Sequence, residues 1–446
     1  MTGFLSGVIT PIQKFTLSLA QASGLLFIAA ALAIIAANGE YRSYYETFLN
    51  YPVTFQIGSY NLFSHGGHPL TVHAFVNDAL MTIFFFMIGL EIKRELLVGE
   101  LATMRKALLP IIAATGGMII PVCVYYCFNS SGPGVGGAAI PMATDIAFAL
   151  GVLTMLGKRV PLGLKIFLTA LAVVDDIGGI MVIALFYSSS ISWTPLLIAL
   201  VFFFIVYIAG KLGIRSRVFY YFMLILIWQQ FMDSGLHATI AGVITAMLVP
   251  ARPKVKLNDF LIDVNDSLNH LPMNHEISRS GATILSDIQI NALKRIESVT
   301  DRSISTLQAL TDDLHNIVNF VILPLFAFVN AGVVFGGESG SLISSISLGV
   351  TFALLVGKTI GIFSFTYLGV KLNLVSMPTN ANFKQIFAIS ILGGIGFTVS
   401  LFIADLAFSG SADAASLLNQ AKIGIFAGSI ISGLIGYFTL SSMLKK

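Results

Sequence analysis

The sequence predicts an all-α polytopic membrane protein of twelve transmembrane helices, and three observations predict it. Of the 446 residues, 56% are hydrophobic and only 11% charged, and the mean hydropathy is +0.87. A soluble domain carries about 25% charged residues, so lipid must be the solvent for most of this chain. The apolar residues gather in twelve long runs, near 15–37, 69–92, 106–127, 138–157, 164–187, 194–211, 217–230, 235–251, 313–335, 343–370, 386–408 and 418–444. Most reach the ~20 residues that cross a bilayer as a helix; the seventh and eighth are short and are expected to be tilted or half-buried. The third observation is where the positive charges fall.

With a cytoplasmic N-terminus, the inside loops hold Lys93, Arg94, Arg105, Lys106, Lys158, Arg159, Lys165, Lys211, Arg215, Arg217, Arg252, Lys254, Lys256, Lys371 and Lys384. Lys445 and Lys446 close the chain on the same side, while the outside loops keep Arg42 and little else, with Lys422 at the mouth of the last span. Positive charge is retained inside, so both termini are expected in the cytoplasm. The net charge of +3 is too small to suggest a nucleic-acid partner. Cys123 and Cys127 lie four apart in an apolar run without the further ligands a zinc site needs, and read as helix-packing residues. No cleavable signal peptide is evident, with Lys14 the only charge before the first run.

Residues 1–446 read as one integral membrane domain with two polar excursions. Residues 38–68 alternate aromatic and polar side chains around Tyr51-Pro52 and Gly58-Ser59, as an outside hairpin with edges free for a partner would. Residues 252–312 form a polar cytoplasmic insertion. Leu285, Ile288, Ala292, Ile296 and Val299 recur there at helical spacing, which fits an amphipathic helix on the membrane surface or the bundle; a loosely ordered loop is the alternative.

Few ionisable groups lie at bilayer depth, where each costs at least about 2.5 kcal/mol and marks function by default. They are Asp78 in span 2, with Glu91 and Glu95 at its cytoplasmic end, Asp145 in span 4, Asp175 and Asp176 in span 5, His237 near the start of span 8, and Lys358 in span 10. Adjacent helix positions point about 100° apart, so Asp175 and Asp176 cannot share one partner, and a single lysine cannot neutralise both. Two close carboxylates in low dielectric are reluctant to ionise together, so the pair can hold a proton and exchange it for a small cation.

Spans 4 and 11 carry a second signal. Span 4 is approached through SGPGVGGAAIPMATDIAFAL (131–150), with Thr144-Asp145 just inside. Span 11 contains Gly393, Gly394 and Gly396 in ILGGIGFTVSLF (391–402). Mid-helix glycine costs about 1 kcal/mol relative to alanine; close packing through small residues is the competing explanation. Spans 3–5 start inside and spans 10–12 start outside, which makes spans 4 and 11 the middle members of two inverted triplets. Paired interrupted helices at such places mark a transporter's ion site. Their exposed ends carry dipole charge, which an acid (Asp145) and a base (Lys358) would compensate.

ALAVVDDIGGI (170–180) with ATDIAFALG (143–151) resembles the NhaA-type sodium/proton antiporters of bacteria, themselves among the transporters on which the interrupted-helix rule rests. FVNDALMTIFFFMIGLEIKREL (75–96), GLHATIAGVI (235–244), VILPLFAFVNAGV (321–333), LLVGKTIGI (354–362) and GGIGFTVSLFIADLAF (393–408) extend the likeness in family order. The resemblance implies that Asp175 and Asp176 bind the transported sodium or lithium, with Asp176 the more direct ligand and Asp175 pairing with Lys358 and exchanging protons. It implies that Thr144 and Asp145 complete the site, that Glu91, Glu95 and His237 respond to pH, and that Asp78 matches an acid of span 2. Glu91 to Glu95 could instead be an interfacial salt-bridge cluster, and His237 a satisfied packing histidine. The sequence departs from the family in its long 252–312 segment and in reading Thr311-Asp312-Asp313 where a glutamate is usual near the start of span 9; both bear on pH regulation rather than on exchange.

The expected activity is therefore not enzymatic. It is electrogenic antiport by alternating access in a bacterial inner membrane, without a cofactor, in a homodimer formed through the outside hairpin. A cation channel using the same acids as a selectivity element and, less in keeping with adjacent acids, an intramembrane aspartyl hydrolase with Asp145 as second acid are the alternatives.

Overall fold

The computed structural model describes residues 11–58, 60–65, 68–187, 191–253, 255, 257–269, 287–335, 343–411 and 413–444. In lipid the backbone N–H and C=O groups must pair within the chain, and these residues are accordingly helical almost throughout. In chain order they form α1 (Pro11–Asn38), α2 (Arg42–Leu49), α3 (Val72–Val98), α4 (Met104–Phe128), a 3-10 segment (Pro133–Met142), α5 (Ile146–Met155), α6 (Leu162–Phe186), α7 (Trp193–Lys211), α8 (Arg217–Ser234), α9 (Ala238–Leu248), α10 (Leu257–Asn269) and α11 (Asp287–Ser303). They continue with α12 (Thr306–Asn330), α13 (Ser345–Lys371), α14 (Phe383–Leu392), α15 (Phe397–Phe408) and α16 (Ala414–Met443). π-Helical turns interrupt α3 at Phe75–Leu80, α12 at Val318–Ile322 and α13 at Ala353–Gly357.

Among the described residues seven helices are long and apolar enough to cross a membrane, and up to ten if each of three bent pairs is one span. That is fewer than the twelve runs of the sequence. α9, at the eighth run, has 11 residues, about 16 Å against a hydrocarbon core of about 30 Å. α8, at the seventh, carries Gln229, Gln230 and Asp233 and is not among the seven. The periphery shows that the solvent is lipid: Leu197, Leu200 and Phe204 of α7 are each about 60% exposed, which water would not tolerate as a contiguous patch. The chain is a multi-pass membrane protein. Cys123 and Cys127 also lie exposed on α4 rather than packed between helices, because the buried face of α4 is taken by Ala113, Gly116, Gly117 and Tyr125.

Two other expectations are revised. Residues 42–49 begin the 38–68 excursion as helix α2, turned 115° from the preceding helix. The strands that follow, β1 (Pro52–Val53), β2 (Gln56–Ile57), β3 (Tyr60–Asn61), β4 (Ser64–His65) and β5 (His68–Thr71), form an antiparallel sheet of order β1-β5-β4 and a β2-β3 hairpin, so the fold is not wholly α. Ser59 lies outside the described residues. The 252–312 segment contains α10 and α11 packed on each other, with Arg295 of α11 paired to Asp263 and Asp266 of α10 at 3.7 and 3.3 Å. Ile288, Ala292, Ile296 and Val299 lie on α11; Leu285 is outside the described residues. The last part of the segment, from Thr306, already belongs to α12.

The core gathers around α4, α6, α13 and the α14–α15 pair. Gly116 of α4 and Gly361 of α13 face each other so closely that a Cβ on either would strike the other's backbone carbonyl. This contact presses α13 onto α4 one turn beyond Lys358 and so fixes the depth at which that lysine enters the core. Gly361→Ala is expected to destabilise the protein by about 1–3 kcal/mol through overpacking, seen as a lower melting temperature in detergent. Gly179→Ala, whose added methyl meets nothing within 4 Å, should be neutral or slightly stabilising.

Candidate functional site

Two helices break against each other at the centre of the molecule. The 3-10 segment Pro133–Met142 and α5 meet at 45°, and α14 and α15 meet at 48°. The breaks touch: the Asp145 amide donates to the Ile395 carbonyl at 2.7 Å, and Ser400 Oγ to the Ile140 carbonyl at 2.8 Å. A helix break leaves unpaired N–H groups at each new start, and these are accounted for. Asp145 Oδ1 accepts from Phe148 N at 3.0 Å, capping α5. Its Oδ2 accepts from Thr398 N at 3.1 Å and Thr398 Oγ1 at 2.6 Å, capping α15. Ser429 Oγ of α16 takes Gly396 N and Phe397 N, both at 3.2 Å. One carboxylate thus closes the positive ends of both half-helices. Both of its oxygens accept hydrogen bonds in doing so.

The glycines of span 11 act differently from what their flexibility suggests. Gly393 and Gly396 have right-handed backbone angles. Gly394 is needed for approach, since a Cβ there would run into the Leu354 carbonyl and lie 2.7 Å from Ser432 Oγ. Both explanations offered by the sequence hold at once: the helix is broken, and small residues let α13 and α16 close on the break.

Asp175 and Asp176 of α6 diverge. Lys358 Nζ, at the π-turn of α13, donates to Asp175 Oδ2 at 2.6 Å and to Thr144 Oγ1 at 2.9 Å. The single Thr144 hydroxyl proton is shared between Asp175 Oδ2 at 2.7 Å and the Gly393 carbonyl at 2.9 Å, the C-terminal end of α14. The lysine therefore sits by the negative end of one half-helix as Asp145 sits by the positive ends. Asp175 Oδ1 is buried without a hydrogen-bond partner among the described residues. Asp176 takes no part in this network. It is 5% exposed and lines a cavity of about 800 Å³, counting its open mouth, with Asp145, Thr398, Thr169, Glu91, Arg94 and Glu95.

The structure brings together Thr144, Asp145, Asp175, Asp176 and Lys358, with Glu91 and Glu95 lining the same cavity as Asp176, but does not add His237 or Asp78. His237 precedes α9 at the other end of that helix, and its Nε2 bonds the Tyr187 carbonyl at 2.5 Å. Asp78 lies in the π-turn of α3, where its carbonyl accepts from Thr82 Oγ1 at 2.6 Å and Trp228 Nε1 at 3.2 Å. Nor is Glu91 to Glu95 a single ion cluster. Arg94 reaches Glu95 at 3.8 Å, but Lys93 turns away to the carbonyls of Met247 and Val249, capping α9. Three further residues carry no signal in the sequence: Thr398, one more small residue after the glycines, and His315 and Asn319, which line the cavity from α12.

A multi-pass membrane protein whose two broken helices touch beside buried acids has the build of a secondary transporter. The chain belongs to the Na+/H+ antiporter 1 family, whose sequence model matches residues 13–440. It is 52% identical to the Na(+)/H(+) antiporter NhaA of Parabacteroides distasonis over 98% of this chain and 97% of that protein. To the proteins of the same name from Bacteroides thetaiotaomicron and Sulfurimonas denitrificans it is 50% identical (98% of each chain) and 40% identical (98% and 97%).

The pairing at the centre gives a stability prediction. Both partners are fully buried, so Lys358→Ala leaves an uncompensated carboxylate and should cost about 3–5 kcal/mol, read as thermal unfolding in detergent. Adding Asp175→Ala should recover much of that loss. Equal melting temperatures for the wild type and Lys358→Ala would refute the pairing.

Proposed function

We propose that the protein exports cytoplasmic sodium or lithium in exchange for external protons by alternating access, with Asp175 and Asp176 as the carboxylates for which cation and proton compete. The observation that carries this reading is a charge count. Asp145 is balanced by two helix N-termini and Asp175 by Lys358, which leaves Asp176 at the inner end of the cavity with no counter-ion of its own. A lone carboxylate at that depth is costly, so it must carry either a proton or a cation. Each therefore displaces the other, and Asp175, the adjacent acid, keeps one buried oxygen without a hydrogen-bond partner among the described residues.

In this reading the cavity faces the cytoplasm. Its mouth lies among Arg94 and the other inside loops that positive charge assigns to that face, and both termini share it in a bacterial inner membrane. The twelve apolar runs are taken as twelve spans, α8 and α9 being tilted ones, with spans 3–5 and 10–12 as inverted repeats; both breaks fall in the middle members. Exchange of more protons than sodium ions makes transport electrogenic, so the membrane potential drives sodium out. Glu91 and Glu95, which line the cavity, are the groups through which pH acts, and His315 joins them in place of His237. No cofactor is required, and a homodimer joined through the strands at 52–71 is the assembly proposed.

Asp176→Asn removes the titrating group while keeping its shape. It should abolish sodium-induced proton movement in everted membrane vesicles, with normal insertion and yield. Wild-type exchange by this variant would overturn the site.

A further inference from the structure

α3, α12 and α15 line the cavity at one level and are stitched together at another. At the cavity they contribute Glu91, Asn319 and Val399. About two turns away along α3 and α12, and one turn away along α15, stand Phe85, Phe326 and Phe402, all buried, with the Phe402 ring 5.3 Å from Phe85 and 6.4 Å from Phe326. One further turn or two on, the apolar packing gives way to a polar network. Asn77 of α3 donates to Asp405 Oδ2 of α15 at 2.8 Å. Asn77 and Asn330 of α12 exchange amide hydrogen bonds at 3.2 and 2.7 Å. His73 Nε2 lies 3.8 Å from Asp405 Oδ1, and Lys422 of α16 reaches the Gly332 carbonyl at 3.4 Å within electrostatic range of Asp405. Asp78 is a further charged neighbour of Asp405.

We propose that Asp405, with Asn77, Asn330, His73 and Lys422, is the latch that holds the outer end of the ion path shut while the cavity is open on the opposite side. The proposal rests on the alternating-access reading above. Asn77, Asn330 and Asp405 belong to the three helices that part around the cavity, so closing the cavity and opening the other end must separate them. Their chemistry suits a contact that breaks in every cycle. Apolar packing between helices is costly to wet when it parts. Amides, a carboxylate, an imidazole and an ammonium bond one another when dry and bond water when wet, so both states are satisfied. The π-turn at Phe75–Leu80 serves this end by turning Asn77 inward toward α12 and α15, as such turns often do where a helix carries function.

Two measurements test the latch. In a Cys123→Ser, Cys127→Ser background, Asn77→Cys with Asp405→Cys can be bridged by a short bis-methanethiosulfonate, with the bridge verified by intact mass. Bridging should abolish sodium/proton exchange in proteoliposomes and reductant should restore it; exchange that persists in bridged protein overturns the proposal. The second variant, Asp405→Asn, keeps the shape should the double cysteine fail to fold. By shifting the population away from the cavity-open state it should weaken apparent sodium affinity from the cavity side roughly five- to tenfold while maximal exchange is retained; an unchanged affinity also overturns the proposal. If the unbridged cysteine-free parent and the wild type show no exchange at all, the antiport reading fails, and the latch with it.

Discussion

The Asp145 carboxylate is what allows two helices to be broken in the middle of a membrane protein. Each break exposes N–H groups that lipid cannot satisfy. A single side chain takes those of Phe148 and Thr398 together, so the two breaks stabilise each other. Everything else at the centre is placed by that junction. The freed Gly393 carbonyl needs a donor and receives Thr144, Thr144 needs a donor of its own and receives Lys358, and Lys358 needs an anion and receives Asp175.

This chain of obligations ends one residue short. Asp176 follows Asp175 on α6, and helix geometry turns it away from the lysine and into the cavity. It is the one acid of the four-charge centre that the protein has not matched, and a binding site for a transported ion is of this kind: ready for a charge that the fold does not itself supply. On the proposed antiport reading, sodium and protons compete there without any further device, and any titrating group lining the cavity would only shift the pH at which that competition is balanced.

Much of this was legible in the sequence, because the bilayer makes sequence patterns strict. Charges in long apolar runs are few, and Asp145, Asp175, Asp176 and Lys358 could be singled out on that ground alone. One base for two acids implies that Lys358 pairs with one of them; that the partner is Asp175 rests on the family resemblance. What was not legible depended on the third dimension. Nothing in the spacing of Thr398 or Ser429 says that a distant helix will break beside them. His315 and His237 are equally plausible from sequence, and only the packing of α12 puts the first in the cavity while His237 bonds Tyr187 instead. Asp405 hid in a motif valued for its glycines, and Lys422 passed for a residue at the membrane surface. The excursion at 38–68 concealed α2 because its alternation of aromatic and polar residues satisfies a strand pattern and a short amphipathic helix alike.

The central claim is that sodium and protons bind the same carboxylates in exclusion of each other. It is tested most directly by adding sodium to purified protein in weakly buffered detergent solution and recording proton release across a pH series. The account predicts that sodium binding releases protons and that the apparent sodium dissociation constant rises steadily as pH falls. Sodium binding without proton release, with an affinity independent of pH, would contradict it.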